Sequence, residues 1–412
     1  MRSGTELIDA GNTGFMLVAT SLVMLMTPGL AFFYGGLVGR KNVLAIMIQS
    51  FVSMGIVDIL WFTVGFSLCF SGGHGAIYGN LDNAFLNGIS PSSVFGDYTG
   101  GANIPMYVFI AYQMMFAIIT PALISGAFTN RVRFKAYLVF LVAWTLFVYF
   151  PFVHMIWGGG LLSTWKVQDF AGGIVVHALA GTAALASVLF IGRRKIAESG
   201  PHSLPLVALG TGLLWFGWYG FNAGSELKVD QITALAFINT DLAASVAAVT
   251  WLAMAWIFEK KPKFLGLLTG AVAGLATITP AAGYVSPSAS MAIGLMAGVV
   301  CYCAIWFKKR MNWDDALDVW GVHGVGGVLG TLAVGVFAWS AMNPGSENGL
   351  LHGNPGFLGV QAAAVALAVV WAFVFTYGML WMINKATPVR VSEAGEEMGL
   401  DVAEHGESAY LG

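Results

Sequence analysis

Charge is what this sequence has least of. Asp, Glu, Lys and Arg make up 10% of its 412 residues, against about 25% in an ordinary soluble protein. Apolar side chains make up 57%, and the mean hydropathy is +0.76. Only 19 basic and 21 acidic side chains are available to cover 43.7 kDa, so the excess apolar surface must face lipid. A net charge of -2 excludes the basic body of a nucleic-acid-binding protein and a long acidic tail. Cysteine is scarce too: Cys69, Cys301 and Cys303 lie in apolar runs with no disulfide or metal-ligand spacing. Glycine is abundant, and its 53 copies are spread through the apolar stretches, the pattern of membrane helices packed backbone to backbone.

Eleven apolar runs stand out, at about 13–36, 43–70, 104–127, 136–157, 169–192, 204–225, 232–258, 264–284, 290–307, 319–340 and 357–384. Each is about 20 residues or longer, enough to cross a hydrocarbon core of roughly 30 Å. The basic residues test that count. Sixteen of the 19 fall in six clusters, at Arg40/Lys41, Arg131/Arg133/Lys135, Arg193/Arg194/Lys195, Lys260/Lys261/Lys263, Lys308/Lys309/Arg310 and Lys385/Arg390. Two apolar runs always separate consecutive clusters. The positive-inside rule then makes the clusters cytoplasmic, which puts the N-terminus outside, the C-terminus inside and an odd number of helices between. Arg2, Glu6 and Asp9 precede the first run and no small-residue cleavage site follows it, so it reads as a retained helix. The expected fold is an all-α, multi-pass protein of the inner or cytoplasmic cell membrane, with lipid as its surroundings. Residues 1–384 form the membrane domain and 385–412 a cytoplasmic tail.

Titratable groups inside a bilayer are costly and therefore informative. His177 and His323 fall near the middle of the fifth and tenth runs, within DFAGGIVVHALAG and DALDVWGVHGVGG. Both segments read D-x7-H-x3-G, and the pairs Asp169/Asp315 and His177/His323 are each 146 residues apart. Five helices separate equivalent points, an odd number that inverts the second half relative to the first. The halves are about 13–192 and 204–340, with 357–384 as an added helix. Symmetric depth brings the two imidazoles face to face, whereas a single such histidine is as readily a core residue bonded to a backbone carbonyl. Two histidines without a third ligand make a poor metal site, and neither a metal nor a cofactor is expected. Each Asp lies about 12 Å of helix before its His, so capping of a helix start is the simple reading of Asp169 and Asp315. Asp58 and Asp241 stand in apolar context and read as protonated or Ser/Thr-bonded carboxyls, or as pathway residues. Asp314, Asp315 and Asp318 read as anchors of the inner loop. No nucleophile with a positioned base is visible, so an intramembrane enzyme is not expected.

The motifs WGGG (157–160), DFAGGIVVH (169–177), WFGWYGFNAGS (215–225), ITPAAGY (278–284), DVWGVHGVGG (318–327) and the tail GLDVAEHGESAY (399–410) resemble the Amt/MEP/Rh ammonium transporter family across essentially the whole chain. The tail and WYGFN favour a bacterial or archaeal Amt-like member. The resemblance implies eleven helices, a homotrimer and one narrow pore per subunit. It implies an outer ammonium site at Trp157, Ser225 and Phe116, with Tyr112 where many relatives have Phe. Phe116 and Phe221 resemble the stacked gate, and His177 and His323 the twin histidines lining the pore, with Trp218 beside them. Asp169 resembles the aspartate that supports the outer site. The tail resembles the segment docked by PII-type signalling proteins.

Ammonium has four N–H donors and no apolar surface, so its recognition needs an aromatic face and an acceptor. Trp157 and Phe116 can each supply about 0.5 to 2 kcal/mol of cation–π attraction, and the Ser225 hydroxyl can accept one N–H. That cannot carry a bare cation through an apolar pore, since burying an ion costs several kcal/mol even after relaxation. Deprotonation below the gate, with ammonia and proton moving separately, follows from this; passive ammonia conduction is the alternative. An ammonium sensor is a third reading, although residues 385–412 are too short to hold a signalling module. The acidic tail, with few apolar residues, is expected to dock on the basic loops at Arg131/Arg133/Lys135, Arg193/Arg194/Lys195 and Lys260/Lys261/Lys263, partly against a neighbouring subunit.

Overall fold

The computed structural model describes residues 8–72, 75–96, 101–196 and 200–410; Arg2 and Glu6 lie outside them. Its apolar helices are α1 (Ala10–Leu37), α2 (Arg40–Phe70), α3 (Met106–Phe128), α4 (Phe134–Thr164), α5 (Gly173–Ile191), α6 (Leu204–Glu226), α7 (Gln231–Glu259), α8 (Phe264–Ile278), α9 (Pro287–Arg310), α10 (Trp320–Phe337) and α11 (Pro355–Ala386). Among the described residues, ten are long and apolar enough to cross a membrane, and α8 is shorter. The protein is therefore an all-helical, multi-pass membrane protein. Between α2 and α3 the chain forms one short antiparallel pair, β1 (Val94–Phe95) with β2 (Ile104–Pro105). Large apolar side chains such as Phe62, Phe216, Val249, Trp256 and Val374 are exposed on the outer surface of the bundle, as contact with lipid requires.

Helix starts follow local chemistry. The side chains of Asp9, Ser203, Asp230, Ser286 and Asn354 each accept a backbone N–H of the helix that follows. Proline stands in the first turn of α6, α9 and α11, where its missing N–H costs nothing.

Three runs are shorter than the hydropathy suggests. Helix α8 stops at Ile278, not 284, because Pro280 cannot donate to a continuing helix and the chain turns through Ala281 N–H to Ile278 and Tyr284 N–H to Ala281. Helix α5 starts at Gly173 rather than 169, and α10 at Trp320 rather than 319. The histidines are consequently not near mid-helix: His177 and His323 both sit in the opening, π-helical turn of their helices. The residues before them are occupied in capping. The Asp169 carboxylate accepts the N–H groups of Gly172, Gly173, Ile174 and Val175 at 2.6 to 3.1 Å. The Asp315 carboxylate accepts those of Val319 and Trp320 at 3.1 and 2.8 Å.

The glycine that ends each repeat motif lets α5 and α10 cross in contact. A Cβ on Gly181 would lie 2.0 Å from the Gly324 nitrogen, and one on Gly327 would lie 2.5 Å from the Gly173 carbonyl oxygen and 2.8 Å from the His177 Cβ. Either substitution would push the two histidine-bearing turns apart.

The loops after α3, α5 and α9 are knotted by charge. Asp314 accepts from Arg131 Nη1 at 3.2 Å and from the Arg194 backbone N–H and Nη2 at 2.7 and 2.6 Å. Burial alone would push its carboxyl up, but Arg194 and Arg131 outweigh that and hold it at about 2. Lys308 pairs with Asp318 and donates to the Asp315 carbonyl. Asp241 is bonded by aromatic donors, not by Ser or Thr: its Oδ1 accepts from Tyr219 Oη at 2.7 Å and Trp215 Nε1 at 3.2 Å. Asp58 is half-buried and its Oδ1 has no hydrogen-bond partner.

The tail forms two short helices, α12 (Glu393–Met398) and α13 (Leu400–His405), folded against its own chain. Three of its six acids take main-chain N–H groups, and one of these also pairs with a cation. Glu396 accepts from the N–H groups of Lys195 and Ile196 and pairs with Arg390 at 2.8 Å. Asp401 accepts from Ala45 N–H at 2.8 Å and Glu404 from Phe134 N–H at 2.9 Å. Two of the three expected loops are thus engaged. The third is not: Lys260 and Lys263 bond within their own turn, and among the described residues no bond joins the tail to them. The segment around Asn42 and Ala45 takes that place.

Candidate functional site

From one end of the bundle, the site begins as a recess of about 330 Å³ walled by Phe109, Gln113, Phe116, Trp157, Phe170 and Ser225. Trp157 is held by donation from its Nε1 to the Asp169 carbonyl oxygen at 2.8 Å. Asp169 therefore caps α5 with its carboxylate and fixes Trp157 with its backbone. The Trp157 and Phe116 rings meet edge to face, 6.1 Å apart at 87°. Ser225 donates to the Phe221 carbonyl at 2.9 Å, which leaves its oxygen lone pairs free toward the recess. Tyr112 is set behind this wall. It is fully buried, and its hydroxyl lies 2.8 and 2.9 Å from the carbonyls of Gly220 and Phe221 and 3.3 Å from Ser225 Oγ, so it supports the turn that carries Ser225.

The floor of the recess is Phe116, whose ring lies 4.2 Å from that of Phe221 at 33°. Below this pair is a cavity of about 10 Å³, room for no more than one water. Among its lining groups, Trp218 Nε1 already donates to Thr279 Oγ1 at 2.9 Å, and the other polar side chains are the two histidines. His177 lies under Phe221 and beside Trp218, with ring centroids 6.0 and 5.5 Å away. His177 Nδ1 and His323 Nδ1 are 3.2 Å apart, the rings 5.2 Å apart at 21°. His177 Nε2 is buried with no partner. His323 also borders a second cavity, of about 240 Å³, at the opposite end of the bundle from the recess, lined by Tyr34, Arg194 and Asp318 among others.

Of the site residues singled out in the sequence, Trp157, Phe116 and Ser225 line the recess and Phe221, His177, His323 and Trp218 the small cavity beneath it, while Tyr112 and Asp169 stand one layer back. Three further side chains, one in the recess wall and two supporting the site from behind, were not singled out in the sequence. Thr279 anchors Trp218 from the turn after α8. His154 places both ring nitrogens 2.8 Å from carbonyls, those of Cys69 and Gly75, and so ties the outer loop to α4 one turn before Trp157. Gln113 lies three residues before Phe116. Position relative to a recognised aromatic was the only signal for the last two.

Comparison with known proteins fits this arrangement. The sequence model of the Ammonium Transporter Family matches residues 14–410. The chain is 44% identical to the ammonium transporter of Bacillus subtilis over 98% of its own length and 99% of the relative's. It is 46% identical to a putative ammonium transporter of Methanothermobacter thermautotrophicus over 98% and 99%. Among solved structures it is similar to Candida albicans Mep2, with a TM-score of 0.88 and 33% identity over 99% of this chain and 92% of that one. It is also similar to a sensor Amt protein, with a TM-score of 0.86 and 31% identity over 96% and 98%. The chain belongs to the Ammonium Transporter Family.

Proposed function

We propose that this protein transports ammonium across the cell's inner or cytoplasmic membrane as a homotrimer with one pore per subunit. Each subunit has eleven crossings, with α8 as the short one, the N-terminus outside and the C-terminus inside. Residues 1–384 form the transport domain, built as inverted halves at about 13–192 and 204–340 plus α11, and 385–412 form a regulatory tail. Ammonium enters the outer recess, where Trp157 and Phe116 offer ring faces and Ser225 an acceptor. It then meets the stacked gate of Phe116 and Phe221. An apolar passage with room for one water cannot hold a hydrated cation, and stripping the ion costs more than two rings return. The cation therefore gives up its proton below the gate.

The observation that carries the reading is the 3.2 Å contact between the two Nδ1 atoms. Such a contact requires one Nδ1–H and one Nδ1 lone pair, so the two Nε2 atoms have opposite character, one an acceptor and the other a donor. A proton accepted at the first Nε2 lets the Nδ1 proton cross to the partner ring, and the partner's Nε2 proton leaves. One proton enters, one leaves, and both tautomers have exchanged. Two imidazolium ions side by side would repel, which limits the pair to one added proton. Ammonia follows through the apolar passage and is reprotonated in the inner cavity.

Recording from reconstituted protein after an ammonium jump tests this. A steady current is expected; ammonia accumulation without current would replace the relay by passive gas conduction. The tail, docked on the loops around Ala45, Phe134 and Lys195, couples the pores to one another and to a PII-type protein at the cytoplasmic face. Deleting residues 392–412 is expected to lower the current per trimer and abolish PII binding, and both unaltered would remove the regulatory role.

A further inference from the structure

Gln113 stands out in the wall of the outer recess. It shares one face of α3 with Phe109 and Phe116, four residues before it and three after. The recess is otherwise lined by aromatic and aliphatic groups and the Ser225 hydroxyl. Gln113 is 9% exposed and its Oε1 has no hydrogen-bond partner. A buried amide oxygen left unpaired is destabilising, and an apolar side chain of the same length would fill the space without that cost. The group is accounted for if something that enters the recess bonds to it.

Building on the outer recess as the ammonium entry site, we propose that Gln113 is a further ammonium ligand there, accepting an N–H of the cation through its side-chain carbonyl. Ammonium directs four N–H bonds to the corners of a tetrahedron; ring faces and Ser225 leave at least one without a strong acceptor. A half-turn of the planar amide exchanges its oxygen and nitrogen, so the same side chain turns its oxygen to a cation and presents either end to water when the recess is empty. A neutral amide also suits a transient site. A carboxylate in its place would attract the cation more strongly and retard its passage to the gate.

The test is the half-saturating ammonium concentration of the current in reconstituted Gln113→Leu, Gln113→Met and Gln113→Glu, with Trp157→Ala alongside. Loss of one hydrogen bond to a cation predicts a rise of about 10- to 100-fold in Gln113→Leu and Gln113→Met, with the maximal current within twofold. Gln113→Glu is expected to lower half-saturation below that of the parent and to reduce the maximal current. Half-saturation unchanged in the apolar variants while Trp157→Ala raises it would overturn the Gln113 assignment alone. If Trp157→Ala leaves it unchanged as well, the recess is not the entry site and the underlying reading fails with it. If neither apolar variant folds, Gln113→Glu decides: half-saturation no lower than the parent's overturns the assignment.

Discussion

Asp169→Ala is expected to destabilise the protein by about 3 to 5 kcal/mol and to abolish transport. The carboxylate is the only side-chain acceptor for four consecutive N–H groups at the start of α5, and the residue is 3% exposed. Those N–H groups have no intrahelical partner, and water does not reach them, so alanine leaves several buried donors unpaired at once. The damage spreads in two directions. The first turn of α5 carries His177, and its loosening would move Nδ1 from the 3.2 Å contact with His323. The Asp169 carbonyl also holds Trp157, so the recess would lose its fixed ring. Asparagine should do little better, because its amide offers one oxygen in place of two and turns an NH2 toward other donors. Thermal unfolding of detergent-solubilised protein and ammonium uptake in liposomes measure the two effects. An Asp169→Asn protein that melts and transports like the parent would show that the cap is not what holds the site.

The repeat D-x7-H-x3-G was readable before any coordinates because each of its residues has a separate physical duty. Asp169 and Asp315 close a helix start, the histidines occupy the turn that follows, and Gly181 and Gly327 allow the close crossing of α5 and α10. Hydropathy reads the start of α5 four residues early, because Ala171 and Gly172 before it are as apolar as the helix, and that of α10 to within one residue; the π-helical opening turn in which both histidines stand has no hydropathy signature. The tail illustrates the same limit in another form. Its acidity suggested docking on lysines and arginines, yet Glu396, Asp401 and Glu404 bind main-chain N–H groups, which carry no sequence signature at all. Tyr112 and Gln113 are neighbours in the sequence and face opposite ways: the tyrosine backs the Ser225 turn and the glutamine borders the recess. An apolar helix enclosed on nearly all sides has no amphipathic pattern from which to tell these two faces apart.

Replacing either histidine is expected to remove most of the ammonium current from a protein that still folds. Neither imidazole is a structural keystone: among the described residues their mutual hydrogen bond is the only one either ring makes, and His177 Nε2 has no partner. Alanine therefore leaves a void next to an already narrow cavity but few unpaired groups, which a folded bundle of this size can accommodate. The chemistry is another matter. A relay of two tautomers has no function with one member missing, and loss of a positioned proton acceptor commonly costs 100-fold or more in rate. The current of His177→Ala and of His323→Ala should each fall by about 100-fold, and the double variant should be no worse than either single one, because both remove the same path. That non-additivity separates a shared relay from two independent contributions to pore shape, which would multiply. Size-exclusion profiles and melting temperatures close to the parent's confirm that folding is not the cause. If both single variants keep the parent's current and its selectivity for ammonium, the proton does not travel through the histidine pair.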